Sequence, residues 1–491
     1  MEQDVFSRMG RRAFLLGAAS CGIVGCRASR WFGNRPNLSF GVVSDIHVTT
    51  PESAAKFRRA LAYFRDRGAD AVLVAGDLTD WGLGSGLKAV ADAWYDVFPD
   101  DRAPDGRKVE KLFVTGNHDF EGWWYGDMTL DMHVQGYSED DALVRAGMRE
   151  CWERTFHEPY ADIRRRTVRG YDFISSEFMV DGKRNGDAAM ARWLNEHAAE
   201  LRGNRPFFFF RHSPIPGTVV RSRGKKGADT SLTEALGALP NAVAFNGHTH
   251  WTLHDERSIW QGGFTAVSIP SMAYASVPGD CENGNGPRDG TSVQAHARLP
   301  SRVDSAEAQG FFVTVWPDSL EIERRDFDRM AEASAPWVVP LGPGAAKPFD
   351  WDVRKTALPV PQFAANTVVR TRTVNCDTRG GHWRIFMELG FGPATCGDGG
   401  RVFDYEVRAE AETDGRALAV KRFLAPDFYK SRTDGADLAF LFDAMDLPET
   451  GRYRFAVYPR NCFGVAGRPA YSRVYESAPG KDGTKYHKRS K

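Results

Sequence analysis

Hydrophobic positions fall into short uninterrupted blocks. Residues 38–44, 71–75, 112–115, 207–210, 242–245 and 265–269 are apolar runs of strand length. Runs of this kind read as strands covered on both faces, and several stop directly on polar residues. Between the first two, Phe57, Leu61 and Phe64 recur at helical spacing and Arg67-Gly68 supplies a stop, so the segment predicts a β-α-β unit. Further helices are predicted around 87–97 and 190–201, where Trp193 and His197 are four apart and His197 reads as packing. Residues 311–315 and 319–327 alternate as a hairpin about Pro317-Asp318, closing a first domain over 37–329. From 331 to 361 the chain carries Pro336, Pro340, Pro343, Pro348, Pro359 and Pro361 without sustained periodicity, which predicts a Pro-rich linker over 330–365. Alternating runs then return at 383–389, 403–409, 438–442 and 453–458, a β-sandwich pattern over 366–476. Residues 477–491, with Lys481, Lys485, Lys488, Arg489 and Lys491, read as a basic disordered tail.

Composition changes this picture little. Of 491 residues 42% are hydrophobic and 26% charged, the balance of a folded protein. Lys plus Arg and Asp plus Glu both number 64, so no net field selects nucleic acid or an anionic membrane as partner. Residues 1–26 differ: Arg8, Arg11 and Arg12 precede an acid-free apolar stretch over 13–25 that meets Cys26. This is the grammar of an export signal, and the stretch is short of the ~20 residues a membrane-spanning helix needs. Residues 10–16 resemble a twin-arginine signal, and Ile23-Val24-Gly25-Cys26 resembles a bacterial lipobox that would make Cys26 a lipid-bearing first residue. The protein is therefore expected in the bacterial cell envelope, periplasmic or lipid-anchored. Beyond the signal, Cys151, Cys281, Cys376, Cys396 and Cys462 have no CxxC spacing, which excludes a zinc finger; the last three are the candidate disulfide set.

The candidate chemistry lies where the strands stop. Asp45 and His47 are two apart after the first run, so in an extended chain both face one side. Asp77 follows Gly76 after the second, and its carboxylate could offer one oxygen to each of two cations. Gly116-Asn117-His118-Asp119 follows the third, His212 ends the Phe-rich run, and Gly247-His248-Thr249-His250 follows the fifth. Each cluster alone is unremarkable, but five in succession at strand ends predict a metal site. Nitrogen and oxygen donors without a thiolate favour Mn, Zn or Fe over soft copper. Two cations roughly 3.5–4 Å apart would clamp a phosphoryl group and bring the pKa of bound water toward ~7, making water the nucleophile.

These elements, D-x-H, GD, GNHD, H and GHxH, resemble the calcineurin-like metallophosphoesterase superfamily over about residues 38–327. The resemblance implies an α/β, four-layer fold of two β-sheets packed face to face and flanked by helices, followed here by a small all-β sandwich. It implies that Asp45, His47, Asp77 and His250 hold one metal, and that Asp77, Asn117, His212 and His248 hold the other. It further implies that His118 stabilises the phosphoryl oxygens or protonates the leaving alkoxide, with Asp119 orienting it. Gly76-Asp77-Leu78-Thr79 has no tyrosine where purple acid phosphatases place a metal-ligating phenolate. Residues 447–464 resemble the late strands of a fibronectin type III-like domain.

The expectation is thus an exported metal-dependent phosphohydrolase, a phosphodiesterase in preference to a phosphomonoesterase, acting on a phosphate ester. A cell-surface binding protein using the sandwich, or a sandwich serving as a spacer, are the competing readings. Two segments could shape specificity: the aromatic and acidic insertion from Trp123-Trp124-Tyr125 to Tyr160, as a lid, and the basic stretch 221–226, as a second anion contact.

Overall fold

The computed structural model describes residues 35–82, 84–125, 141–223, 227–277, 281–283, 302–303, 308–378, 382–397, 400–430, 435–479 and 485–489. The expected export signal with Cys26, and the middle of the insertion after Asp119, lie outside the described residues. Among the described residues no helix is long and apolar enough to cross a membrane.

Strands β1 (Leu38–Val43), β2 (Ala71–Ala75) and β3 (Glu110–Val114) pair in parallel. Helix α1 (Pro51–Asp66) connects the first two and buries Phe57, Leu61 and Phe64, the face its spacing announced. It starts at a Thr50–Ser53 capping box with Pro51 in the first turn, and Arg67 caps its end before Gly68 turns left-handed at φ 73°. Helices α2 (Gly84–Val97), α3 (His118–Tyr125) and α4 (Asp141–Phe156) follow. Helix α4 is a correction to the aperiodic insertion: Met148, Trp152 and Phe156 lie fully buried in the same apolar cluster as α1 and α2.

A second sheet is built from β4 (Ile163–Val168), β5 (Tyr171–Ser176), β6 (Phe207–Arg211), β7 (Ala242–Asn246), β8 (Ile259–Gln261) and β9 (Thr265–Ser268), with α5 (Asp187–Glu196) and α6 (Ser231–Gly237) on its outer face. Its order is β8-β9-β7-β6-β5-β4. Strands β10 (Gln309–Val315), β11 (Ser319–Asp326) and β12 (Ala331–Pro340) complete the first sheet in the order β12-β11-β10-β1-β2-β3. The sheets meet face to face through a dry layer in which Phe40 sits edge-on to Phe173 and Phe208, at 5.2 and 4.9 Å between centroids. The result is a helix–sheet–sheet–helix arrangement with all the long parallel strands ending on one side.

Two expected irregular segments are ordered. Residues 331–340 are not linker: β12 pairs antiparallel with β11 and turns Ala333, Trp337 and Val339 inward. Its prolines fit because β12 is an edge strand, where one row of backbone groups has no partner to lose. Helix α7 (Trp351–Ala357), N-capped by the Asp350 carboxylate, occupies more of the expected linker.

The C-terminal part is all-β. Strands β13 (Arg370–Thr378), β14 (His382–Phe391) and β17 (Leu438–Asp443) form one antiparallel sheet. The other is β15 (Asp404–Ala411), β16 (Ala417–Leu424), β18 (Gly451–Arg460), β19 (Ala470–Pro479) and β20 (Lys485–Arg489), ordered β16-β15-β18-β19-β20. Strand β20 corrects the disordered tail. Its charges are no obstacle, because a basic strand at a sheet edge is a common arrangement. Of the expected disulfide set, Cys396 and Cys462 are free thiols, as is Cys151, and the Cys376 side chain lies outside the described ones.

Candidate metal centre

All five predicted clusters stand just beyond β1, β2, β3, β6 and β7. The loops after β1 and β2 are zipped together by backbone bonds from Asp45 to Gly76, His47 to Asp77 and Val48 to Leu78, at 3.0, 3.1 and 3.0 Å. Asp45 and His47 do not continue as extended strand. Their φ angles are 52° and 48°, and Asp77, His248 and His250 are likewise left-handed at 49°, 69° and 51°. Side chains at i and i+2 thus converge through paired left-handed turns, which non-glycine residues adopt only where surrounding contacts enforce them. Glycines supply the clearance: a methyl on Gly247 would sit 1.9 Å from Ser44 Oγ and 2.6 Å from Asp45 Oδ2, and one on Gly116 2.2 Å from Asp77 Oδ1.

Donor atoms gather in two groups that share Asp77. Asp45, His47, Asp77 and His250 each place one atom within 4.8 Å of the others; so do Asp77, His212 and His248. Asn117 joins the second group, with Oδ1 3.1 Å from His212 Nε2. His47 Nε2 faces His250 Nε2 at 3.1 Å, and His248 Nδ1 faces His212 Nε2 at 3.2 Å. The Asp77 Oδ2 atom is buried and faces imidazole nitrogens, His212 Nε2 and His47 Nε2, at 3.2 and 3.7 Å. A buried carboxylate oxygen between two sets of imidazole nitrogens fits a bridging cation ligand, so the residues present suit a dinuclear centre.

Electrostatics agree with that fit. Burial pushes the Asp45 and Asp77 carboxyls up, but the neighbouring imidazoles, His250 for Asp45 and His212 for Asp77, hold both below the usual carboxylate range. Burial pulls His212 down, and Asp77 with Asp45 outweighs it, raising the imidazole to about 9. The ring donates through Nδ1 to the Ala75 carbonyl at 2.8 Å, which directs Nε2 at the cluster.

His118 stands beside His47, with ring centroids 4.7 Å apart. Its Nδ1 meets the Asp80 carbonyl at 3.1 Å and Glu121 Oε2 at 3.2 Å. Burial lowers its pKa, but Glu121 and Asp77 carry it to about 9. Asp119 does not orient it, contrary to expectation. The Asp119 carboxylate is taken up by the amides of Leu78, Thr79 and Gly116 and by Thr79 Oγ1, at 2.9–3.2 Å, and so ties the loop after β2 to the loop after β3.

Three contributors escaped the sequence reading. Asp80 pairs with His47 Nδ1, and His47, Asp80 and His118 form a third group of converging donors. Glu121 reaches both His118 and, at 3.4 Å, the Asn117 amide. Tyr274 stacks on His250 with centroids 4.1 Å apart at 27°. For Asp80 and Glu121 a signal existed, since each lies within four residues of a ligand on the same turn. Tyr274 had none. Of the two specificity segments, the basic stretch places Arg221 over Trp251 and Arg223 over Trp351, at 5.3 and 3.8 Å. His197 stacks on Trp193 at 4.0 Å, a packing role.

Residues 38–252 match the family model of the calcineurin-like phosphoesterases. No curated protein matches the sequence. Among solved structures the chain is similar to a dimetal phosphatase from Danio rerio, at 11% identity and TM-score 0.35 over 62% of this chain and 99% of that one. It is also similar to GAP50, the anchor in the inner membrane complex of Plasmodium, at 12% identity and TM-score 0.34 over 63% and 89%. A third is purple acid phosphatase PPD1 from yellow lupin (Lupinus luteus) seeds, at 11% identity and TM-score 0.37 over 62% and 55%.

Proposed function

Because residues 38–252 form a calcineurin-like phosphoesterase domain, we propose that this chain is an exported phosphodiesterase that works with two metal ions. The observation that carries the reading is the buried Asp77 carboxylate shared by the two donor groups, its Oδ2 facing His212 Nε2 and His47 Nε2 at 3.2 and 3.7 Å. Asp45, His47, Asp77 and His250 would hold one ion, and Asp77, Asn117, His212 and His248 the other. When bound, the pair supplies Lewis-acid polarisation of the phosphate and a lowered pKa for water.

The chain's own residues divide the remaining work. Asp77, Asn117 and the four histidines fix where the reacting phosphorus can sit. Against the pull of burial, Glu121 and Asp77 raise the His118 pKa in the metal-free site to about 9, which favours a proton on the ring at neutral pH. With Nδ1 engaged by Asp80 and Glu121, Nε2 is the nitrogen left to give that proton to a departing alkoxide. The diester half of the proposal rests on the motif resemblance, in which Gly76-Asp77-Leu78-Thr79 lacks the tyrosine of the purple acid phosphatases. The export half of the proposal rests on Arg11-Arg12, the apolar stretch 13–25 and Cys26.

The test is turnover by protein beginning at residue 27, loaded with Mn²⁺ or Zn²⁺. Bis-p-nitrophenyl phosphate should be cleaved faster than p-nitrophenyl phosphate, and Asp77→Ala should abolish both. No turnover on a broad ester panel with two bound ions would overturn the hydrolase reading, and a preference for the monoester would overturn the diesterase reading. Membrane fractionation of the full chain against Cys26→Ala tests the anchor: a protein found soluble in both forms would rule it out.

A further inference from the structure

The two donor groups differ in what holds them. His212 is secured wholly within the first domain, by the Ala75 carbonyl and by the Gly247 amide, which donates to the His212 carbonyl at 2.9 Å. His250 lies instead between two segments that both reach the C-terminal sheets. Its carbonyl accepts from the Ser276 amide at 2.8 Å, its Nδ1 meets the Tyr274 carbonyl at 3.3 Å, and the Tyr274 ring stacks on it. The residue after His250, Trp251, belongs to the same apolar cluster as Phe403, Phe428 and Phe440 of the C-terminal sheets. So do Ala275 and Val277, on the far side of Tyr274.

Polar contacts lock this seam. Trp251 Nε1 donates to Asp255 Oδ2 at 2.8 Å; Arg257 clamps the same carboxylate and lies over the Phe403 ring at 4.6 Å. The Glu282 amide donates to the Arg422 carbonyl at 2.8 Å. Asn283, 3% exposed, donates to the Leu424 carbonyl and accepts from the Leu424 amide, at 3.0 and 2.7 Å. A left-handed histidine keeps its geometry only while its surroundings over-determine it. For His250 those surroundings are Asp45, His47, Tyr274 and Ser276, and the residues that flank them in the chain, Trp251, Ala275 and Val277, pack on the second domain.

We propose that the C-terminal domain completes the cation site of Asp45, His47 and His250, and that the site of Asn117, His212 and His248 stands without it. Trp251 and Asn283 are then positioning residues for His250, and the sandwich is neither a free binding module nor a spacer. The proposal rests on the dinuclear reading of the centre.

The experiment is calorimetric titration of full-length protein with Mn²⁺ and with Zn²⁺, alongside thermal unfolding of the metal-free forms. Wild type should bind two ions. Asn283→Ala, which removes two bonds at the seam and touches no ligand, should keep one site at wild-type affinity and weaken the other roughly 10–100-fold, the usual effect of losing a support behind a metal ligand. Trp251→Phe, which keeps an aromatic ring of smaller size and loses the indole N–H bond to Asp255, should do the same. The ion retained by Asn283→Ala should disappear on adding His212→Ala. Two wild-type sites in both variants would overturn the proposal. So would parallel weakening of both sites in step with the unfolding temperature, which is what general destabilisation produces. A wild type that binds no ion would instead overturn the dinuclear reading itself. Should Trp251→Phe fail to fold, Asn283→Ala alone decides.

Discussion

A single methyl group added at Gly116 should disable the centre while leaving every ligand in the sequence. The Cβ of Gly116→Ala would lie 2.2 Å from Asp77 Oδ1, 2.5 Å from the Asp77 amide nitrogen and 2.8 Å from His212 Cγ. Against a van der Waals separation of about 3.5 Å, some atom must move by roughly 1 Å. None of the three is the free end of a flexible chain. Asp77 Oδ1 accepts the His118 amide at 2.9 Å, the Asp77 backbone is zipped to His47, and His212 is tied to Ala75. Whichever group yields, the bridging carboxylate or a ligand ring leaves its place. Overpacking of this kind costs about 1–3 kcal/mol of stability, and a displacement of ~1 Å in a reacting assembly costs on the order of 10²-fold in rate. The assay is metal content after loading and dialysis, with kcat for bis-p-nitrophenyl phosphate and the unfolding temperature in parallel. A folded variant, its midpoint down by roughly 2–12 °C, should retain fewer than two ions and turn over at least about 100-fold more slowly. Wild-type metal content with undiminished kcat would refute the claim that this glycine exists for clearance.

Four further outcomes follow from particular contacts. Glu121→Gln removes the carboxylate at His118 Nδ1, so the His118 pKa should fall from about 9, and the alkaline limb of the pH–rate profile should move to lower pH; an unmoved limb would deny His118 the proton-donor role. Asp119→Asn sets an amide NH₂ against backbone N–H donors, which should cost about 1–3 kcal/mol for each donor left unpaired; because Asp119 does not touch His118, the unfolding temperature should drop without any shift of that limb. His212 is protonated up to about 9 in the metal-free site, so metal binding must expel a proton: affinity measured in buffers of different ionisation heat should rise about tenfold per pH unit from 7 toward 9 and level off above it. By the same linkage, the stability His212 lends the metal-free fold is full below its unfolded value near 6.5 and is lost as pH climbs through 9. Phe40→Ala empties the middle of the layer between the sheets and should lower stability by about 3–5 kcal/mol in urea titrations.

Much of the catalytic domain was legible because its strands are buried on both faces and therefore spelled as apolar runs. The same burial makes their ends conspicuous: where the run 71–75 stops, Gly76-Asp77 is the first polar position, and the polar residue is the ligand. Legibility failed where a tertiary partner decides. Residues 331–340 carry two prolines and weak alternation, and only the vacant edge of β11 makes them a strand. Helix α4 does carry a local period, Met148, Trp152 and Phe156 four residues apart, but the charged residues that surround this narrow stripe hid it until its cluster with α1 and α2 was formed. Asp119 was misassigned for a related reason: adjacency to His118 suggested a pair, but the donors that claim its carboxylate come from the loop after β2, some forty residues earlier.

The left-handed ligands join these successes and failures into one argument. A sequence pattern such as Asp45-x-His47 states which groups are present and says nothing of φ, so it was read as strand; the strained turns exist only because the backbone of the β2 loop zips against them. Strain of order 1–3 kcal/mol at each of five ligand positions has to be sustained by the rest of the fold. Gly116 and Gly247 clear the space, Asp119 ties two loops together, and the seam with the C-terminal sheets steadies His250. A variant that loosens any of these supports should show itself first in metal binding and only later in unfolding, because the strained turns are the part of the structure with the most to gain by relaxing.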